Sequence, residues 1–105
     1  SFPLWLSPTQ TALLPITGKQ NDFAQKINNQ LLELGVRSTA DLRNERLQSK
    51  IREATLQKVP YLGIIGGREA ESDSISLRNR EGKDLGVLQV SDFVNRIKEE
   101  IDKKI

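Results

Sequence analysis

The chain has 105 residues, 36% of them hydrophobic and 29% charged, a balance that fits one folded domain with a single core and excludes a disordered tail. It contains no Cys and no His, which removes disulfides, thiolate nucleophiles, zinc sites built on those ligands and the middle member of a Ser-His-Asp triad. The net charge is only +2, with the excess between positions 37 and 83, where ten basic residues stand against seven acidic ones, a weak pull on an anionic partner.

Residues 1–8 read as an arm. Pro3 and Pro8 exclude a regular helix, while Phe2, Leu4, Trp5 and Leu6 need an apolar surface to pack on. The arm has no basic start and is not read as a secretory signal. No apolar run in the chain approaches the roughly 20 residues that cross a bilayer. Residues 11–17 (TALLPIT) read as a buried strand, and a turn over 18–21 leads to Asn21 as cap of the first helix. Phe23, Ile27, Leu31 and Leu34 recur at helical spacing until Gly35 supplies a left-handed stop. Residues 36–40 read as a short strand. Leu47, Ile51, Ala54 and Val59 trace a second helix that must end before Pro60. Residues 61–65 (YLGII) read as a third buried strand, closed by Gly66 and Gly67. The period then drops to two, with Ile75 and Leu77 alternating with Ser74, Ser76 and Arg78. Glu81 and Gly82 make a hairpin turn, and residues 85–90 return as a strand. Ser91 reads as the cap of a last helix with Phe93, Val94, Ile97 and Ile101 on its apolar side. Lys103 and Lys104 suit the negative end of its dipole.

The order β-α-β-α-β-β-β-α predicts a three-layer α/β/α domain with a mixed five-stranded sheet. Strands separated by helices pair in parallel through right-handed crossovers, and the closing hairpin adds antiparallel pairing.

The densest group of directional polar side chains is ADLRNERLQSKIREA, residues 40–54. It reads as a strand end, a polar turn carrying Asp41, Arg43, Asn44 and Glu45, and the start of a basic helix with Arg46, Lys50 and Arg52. Enzyme readings do poorly. None of the fourteen carboxylates has an apolar setting that singles it out as a raised-pKa acid. GIIGGREAE lacks both the GxGxxG and the GxxxxGK[ST] spacing of phosphate loops, so Gly66 and Gly67 are read as a tight turn. Asp41, Glu45, Asp73 and Asp84 have no EF-hand spacing and would hold a cation only if the fold gathered them. No catalytic residue and no metal ligand is assigned.

Base recognition fits better, because unstacked bases in RNA loops expose their edges. A carboxylate accepts from guanine N1–H and N2–H, an arginine fork donates to guanine O6 and N7, and an asparagine amide both donates to and accepts from uracil. The chain offers Asn44 and Arg52 around the second βα junction, Glu69 after the third strand and Arg78 on the fourth. Asn44 and Glu69 follow the C-terminal ends of parallel strands, where open α/β sheets bind ligands. Each also has a plainer role open to it: Asn44 as a cap, Arg52 as a solvated helix charge, Glu69 as surface charge, Arg78 on the wet side of its strand.

In FPLWLSP, in ADLRNE followed by KIREATLQKVPY, in GGREAES and in LRNREGKDLG, the chain resembles the C-terminal anticodon-binding domain of threonyl-tRNA synthetase, a class IIa anticodon-binding fold. The likeness extends over nearly the whole chain and departs from the family at Gln48, where Gly is frequent. It implies that residues 9–105 read the anticodon loop of threonine tRNA, whose anticodons carry G and U at the middle and third positions, and that residues 1–8 are an arm from a preceding catalytic domain. Asn44, Arg52, Glu69 and Arg78 fall on the family's anticodon contacts, Glu69 and Arg78 serving the middle guanine and Asn44 the uracil, with Arg52 nearby. Arg46, Lys50 and Arg80 are candidates for the tRNA backbone, which positions without specifying. The resemblance implies no cofactor in this stretch, no membrane partner and no catalysis by it alone. The parent would be a cytoplasmic threonine–tRNA ligase using ATP, magnesium and zinc in its catalytic domain and dimerising through that domain, whereas this stretch alone would be monomeric. A protein-interaction or assembly module on the same fold is the alternative reading.

Overall fold

A computed structural model describes residues 3–104. The elements are β1 (Thr11–Pro15), α1 (Asn21–Glu33), β2 (Ser38–Ala40), α2 (Leu47–Leu56), β3 (Tyr61–Ile65), α3 (Gly67–Ser72), β4 (Ser74–Asn79), β5 (Asp84–Gln89) and α4 (Val90–Asp102), with short 3-10 turns at Leu4–Leu6 and Gly18–Gln20. One five-stranded sheet runs β2-β1-β3-β4-β5. β1 is parallel to β2 and β3, and the β3–β4 and β4–β5 pairs are antiparallel. This is the mixed, three-layer arrangement expected from the order of elements.

Strand alternation sends side chains to two different cores. On one face Leu13, Ile65, Ile75 and Leu77 meet Ile27 and Leu31 of α1 and Phe93 and Ile97 of α4. On the other face Ala12, Leu14, Leu62 and Ile64 meet Ala54 of α2 and Val59. Gly35, at φ +82°, ends α1 as expected, letting Val36 N–H reach the Leu31 carbonyl at 3.0 Å. α2 ends on the same pair of bonds with Lys58 in the left-handed position, φ +59°, and Val59 N–H donating to the Ala54 carbonyl at 3.1 Å.

Three local expectations are corrected. Asn21 does not cap α1; Thr17 and Gln20 cap the preceding 3-10 turn reciprocally, and the helix continues directly from it. Ser91 lies inside α4, which begins at Val90 while Gln89 is still extended. The glycine pair does not simply close β3: Gly66 precedes a short helix, α3, which ends at Asp73 in the left-handed conformation, φ 53°. Six residues without an apolar period give a helix nothing to betray it in sequence.

The apolar surface that the arm needs is found on this domain. From Leu4 onward it packs on this domain itself, with Leu4 buried beside α4. Gln10 Nε2 donates to the Leu4 carbonyl at 3.1 Å while Gln10 Oε1 accepts Arg37 N–H at 2.8 Å. The Arg37 guanidinium then donates to the carbonyls of Ser7 and Trp5 at 3.0 and 2.9 Å, and Lys104 stands 5.2 Å from the centre of the Trp5 ring. The expected packing of Phe2 lies outside the described residues.

Candidate nucleic-acid interface

β2 is only three residues long and ends at Ala40, after which Asp41 N–H donates to the Leu13 carbonyl at 2.9 Å. The chain then turns back over the C-terminal rim of the sheet. Asp41 sets that turn: Oδ1 accepts Arg43 N–H at 3.3 Å and Arg43 Nε at 2.8 Å, and Oδ2 accepts Nη2 at 2.8 Å. The side-chain bonds from Arg43 hold the Asp41 carboxyl below the usual carboxylate range. The Arg43 fork is thereby consumed within the turn. Asn44, next along, is exposed and, among the described residues, its side chain makes no hydrogen bond. Arg46 occupies the cap position of α2 without a side-chain cap bond, so neither residue has the capping role that was open to Asn44.

α2 lies over β1, and one flank of it, through Lys50, Glu53, Ala54 and Gln57, lines a cleft of about 370 Å³ against β2 and the Asp41–Arg43 turn. Arg52 and Gln48 lie on the outer surface away from that cleft. Lys50 departs from expectation. It is 2% exposed, and its Nζ donates to the Pro15 carbonyl at 2.8 Å. β2 stops short of Pro15, which has no N–H to offer a neighbouring strand and leaves a carbonyl to be satisfied. Lys50 therefore completes the end of β1 and is not available to a phosphate.

Glu69 sits in the first turn of α3. Its Oε1 accepts Gly66 N–H at 2.6 Å, capping the helix. A Cβ on Gly66 would lie 3.0 Å from that oxygen and 3.0 Å from Ile16 Cδ1, so the carboxylate occupies the space a side chain at position 66 would need. Two residues beyond Ile64, position 66 points to the α2 side of the sheet. Glu69 is thus half-buried at the rim with Oε2 uncommitted, and Oε1 retains a second lone pair.

Arg78 lies on the same side, paired in register with Leu62 on β3 and Asp84 on β5. The carboxylate facing it bonds the backbone, Asp84 Oδ1 accepting Gly86 N–H at 2.8 Å, and forms no ion pair with Arg78. Among the described residues Arg78 forms no ion pair, and its Nε is buried without a hydrogen-bond partner. A buried donor left unpaired costs stability, and such groups in native folds call for a functional account.

The fold therefore places Asn44 and Glu69 on the C-terminal rim, and Glu69 and Arg78 on one side of the sheet. Arg52 stands on the outer surface of the helix covering the neighbouring half of that side. None of the four bonds another. Arg80 is not with them: it stands by Leu4, Pro60, Tyr61 and Glu100 at the opposite end of the strands. Among the described residues no three His, Cys, Asp or Glu side chains are grouped to hold a metal ion, so Asp41, Glu45, Asp73 and Asp84 are not gathered. Sequence reasoning missed the capping bond of Glu69; the signal was a glutamate three residues after a glycine at a strand end.

Residues 10–100 match the family described as the anticodon binding domain. Over 104 residues, 99% of its length, the chain is 50% identical to a threonine–tRNA ligase of Acetivibrio thermocellus and 46% identical to one of Marinobacter nauticus. It spans 16% of the length of each. The RNA binding domain of threonyl-tRNA synthetase from Cryptosporidium parvum has the same fold, with a TM-score of 0.88 at 27% identity over 93% of this chain and 25% of that one. Histidyl-tRNA synthetase from Nostoc sp. PCC 7120 shares the fold alone, with a TM-score of 0.80 at 21% identity over 90% of this chain and 23% of that one.

Proposed function

The chain belongs to the anticodon-binding domain family, and from that premise we propose that it reads the anticodon loop of threonine tRNA as one domain of a threonine–tRNA ligase. Its likeness to such ligases over almost its whole length supports the choice of tRNA. Attachment of threonine, with its ATP, magnesium and zinc, belongs to the remainder of that cytoplasmic, dimeric parent. This domain contributes binding and selection by holding the tRNA in place, not by making bonds.

The observation that carries the reading is Arg78, a half-buried guanidinium that forms no ion pair with its in-register carboxylate Asp84 and whose Nε has no partner among the described residues. Such a group accepts an external partner without first breaking an ion pair. Its fork matches guanine O6 and N7, and the Glu69 carboxylate on the same side matches guanine N1–H and N2–H. Asn44, with an unengaged amide at the rim, suits the neighbouring uracil, and Arg52 and Arg46 supply positive charge beside the strand.

Changing Arg78 to Ala in the full-length protein is expected to weaken threonine tRNA by about tenfold or more, the value of one bidentate base contact. tRNAs with another middle base should weaken much less. Affinities measured by filter retention decide this, and an equal loss across all tRNAs would reduce Arg78 to a phosphate contact.

A further inference from the structure

Three rows of residues cross the boundary between β3 and β4 on the α2 side of the sheet. Leu62 and Arg78 form the first, and Ile64, Ser76 and Val87 the second. The third is marked by Gly66, whose missing side chain is replaced by the Glu69 carboxylate. Rows on one face are about 7 Å apart along a strand. The middle row therefore lies between the two groups assigned to one guanine.

The middle row is built unlike a solvent-facing strand surface. α2 packs over β1 and has no comparable packing on β4 or β5 among the described residues. Val87 stands there 62% exposed, an apolar β-branched side chain on an edge strand. A bulge puts it there: Leu77 pairs with Gly86 and Arg78 with Asp84, so Leu85 has no partner of its own. Were the same sequence paired from Arg78 and Asp84 onward with no bulge, Val87 would fall opposite Ile75 and turn inward. Gly86 adopts φ +93°, a conformation other residues rarely accept, and the Asp84 carboxylate braces it. Next to Val87, Ser76 presents one of the smallest side chains, leaving a low step beside it.

Resting on the proposed reading of Arg78 and Glu69, we infer that Ser76 and Val87 form the floor on which the purine base held by those two residues lies. The occupant is an unstacked nucleobase of single-stranded RNA. Val87 covers part of one ring face, and the small Ser76 leaves the height for the ring to sit between the arginine fork and the carboxylate. The bulge sets the register that places Val87 on this face, one residue pair from Arg78.

The test uses the full-length protein and threonine tRNA, with affinity read by fluorescence anisotropy and folding by thermal melting. Ser76→Val raises the floor and should weaken binding by about tenfold, while Val87→Ala removes apolar cover and should weaken it about fivefold. Neither substitution should lower the melting temperature appreciably, because Val87 is exposed and Ser76 is only half-buried. Arg78→Ala is measured alongside. If both floor variants bind within twofold of the unaltered protein while Arg78→Ala binds weakly, the floor is elsewhere and this inference fails. If Arg78→Ala also binds normally, the reading of the whole face fails with it.

Discussion

Lys50 and Arg78 are two cations on the same side of one sheet, in its two halves. Over β1, α2 covers the sheet, and Lys50 is folded into the join with its ammonium on the Pro15 carbonyl. Over β4 and β5, α2 has no comparable packing among the described residues, and Arg78 keeps a buried, unpartnered Nε there. The covered cation satisfies the fold, whereas the uncovered one is left unsatisfied by it. Residue type and local charge were the same kind of signal in both places. What separates them is whether the nearest acceptor belongs to the chain.

The strongest way to break that contrast is to remove the covered cation. Lys50→Ala orphans a buried carbonyl and leaves the space of a long side chain, and is expected to cost about 2–4 kcal/mol of stability in urea denaturation. tRNA affinity of the folded full-length protein, measured well below its melting temperature, should stay within about twofold, because no phosphate contact is lost. A variant that is stable but binds tRNA weakly would put Lys50 on the RNA after all.

The opposite pattern is expected in the open half. Arg78→Met removes a buried donor that has no partner, so stability should stay within about 0.5 kcal/mol of the original or rise slightly. Discrimination for the middle base should nevertheless be lost, as with Arg78→Ala. A fall in stability as large as that of Lys50→Ala would mean that Arg78 is holding the sheet together, and the contrast between the halves would disappear.

Much of this contrast was readable before any coordinates. The alternation of Ile75 and Leu77 with Ser76 and Arg78 placed the arginine away from the main core, and the residues of β4 are those the alternation marks. Lys50 was also readable, but by position and not by type: Leu47, Lys50, Ile51 and Ala54 fall on one helical face, the buried one. Taking the lysine as a candidate for the tRNA backbone passes over that spacing. The bulge was not readable, because DLGVLQ alternates equally well in either register and only the pairing with β4 decides which of Val87 and Leu88 faces the core. α3 was hidden for a similar reason: its start depends on a glycine whose space is filled by the side chain of Glu69, a contact three residues away that no hydrophobic period reports.

The smallest expected effect tests whether the rim is set by local chemistry as firmly as the open face is. Asp41 holds the turn that carries Asn44, and hydrogen bonds from Arg43 lower its pKa below the ordinary 3.8. A carboxylate whose folded pKa is lowered contributes its full stabilisation above the unfolded pKa and loses it as pH falls through the folded value. The turn should therefore be constant from neutral pH down to about 4 and loosen only below that. Arg43 is exposed and Asp41 half-buried at the surface, so the effect on global stability should be slight, and salt should weaken it further. The backbone amide of Asn44 in NMR spectra is the sensitive probe: it should shift below pH 4, and Asp41→Asn should show the acid position already at neutral pH, with a loss of tRNA affinity of about twofold to threefold. An Asn44 amide indifferent both to acid and to this substitution would show that the rim is positioned by the backbone between β2 and α2, and that the Asp41–Arg43 bond merely decorates it.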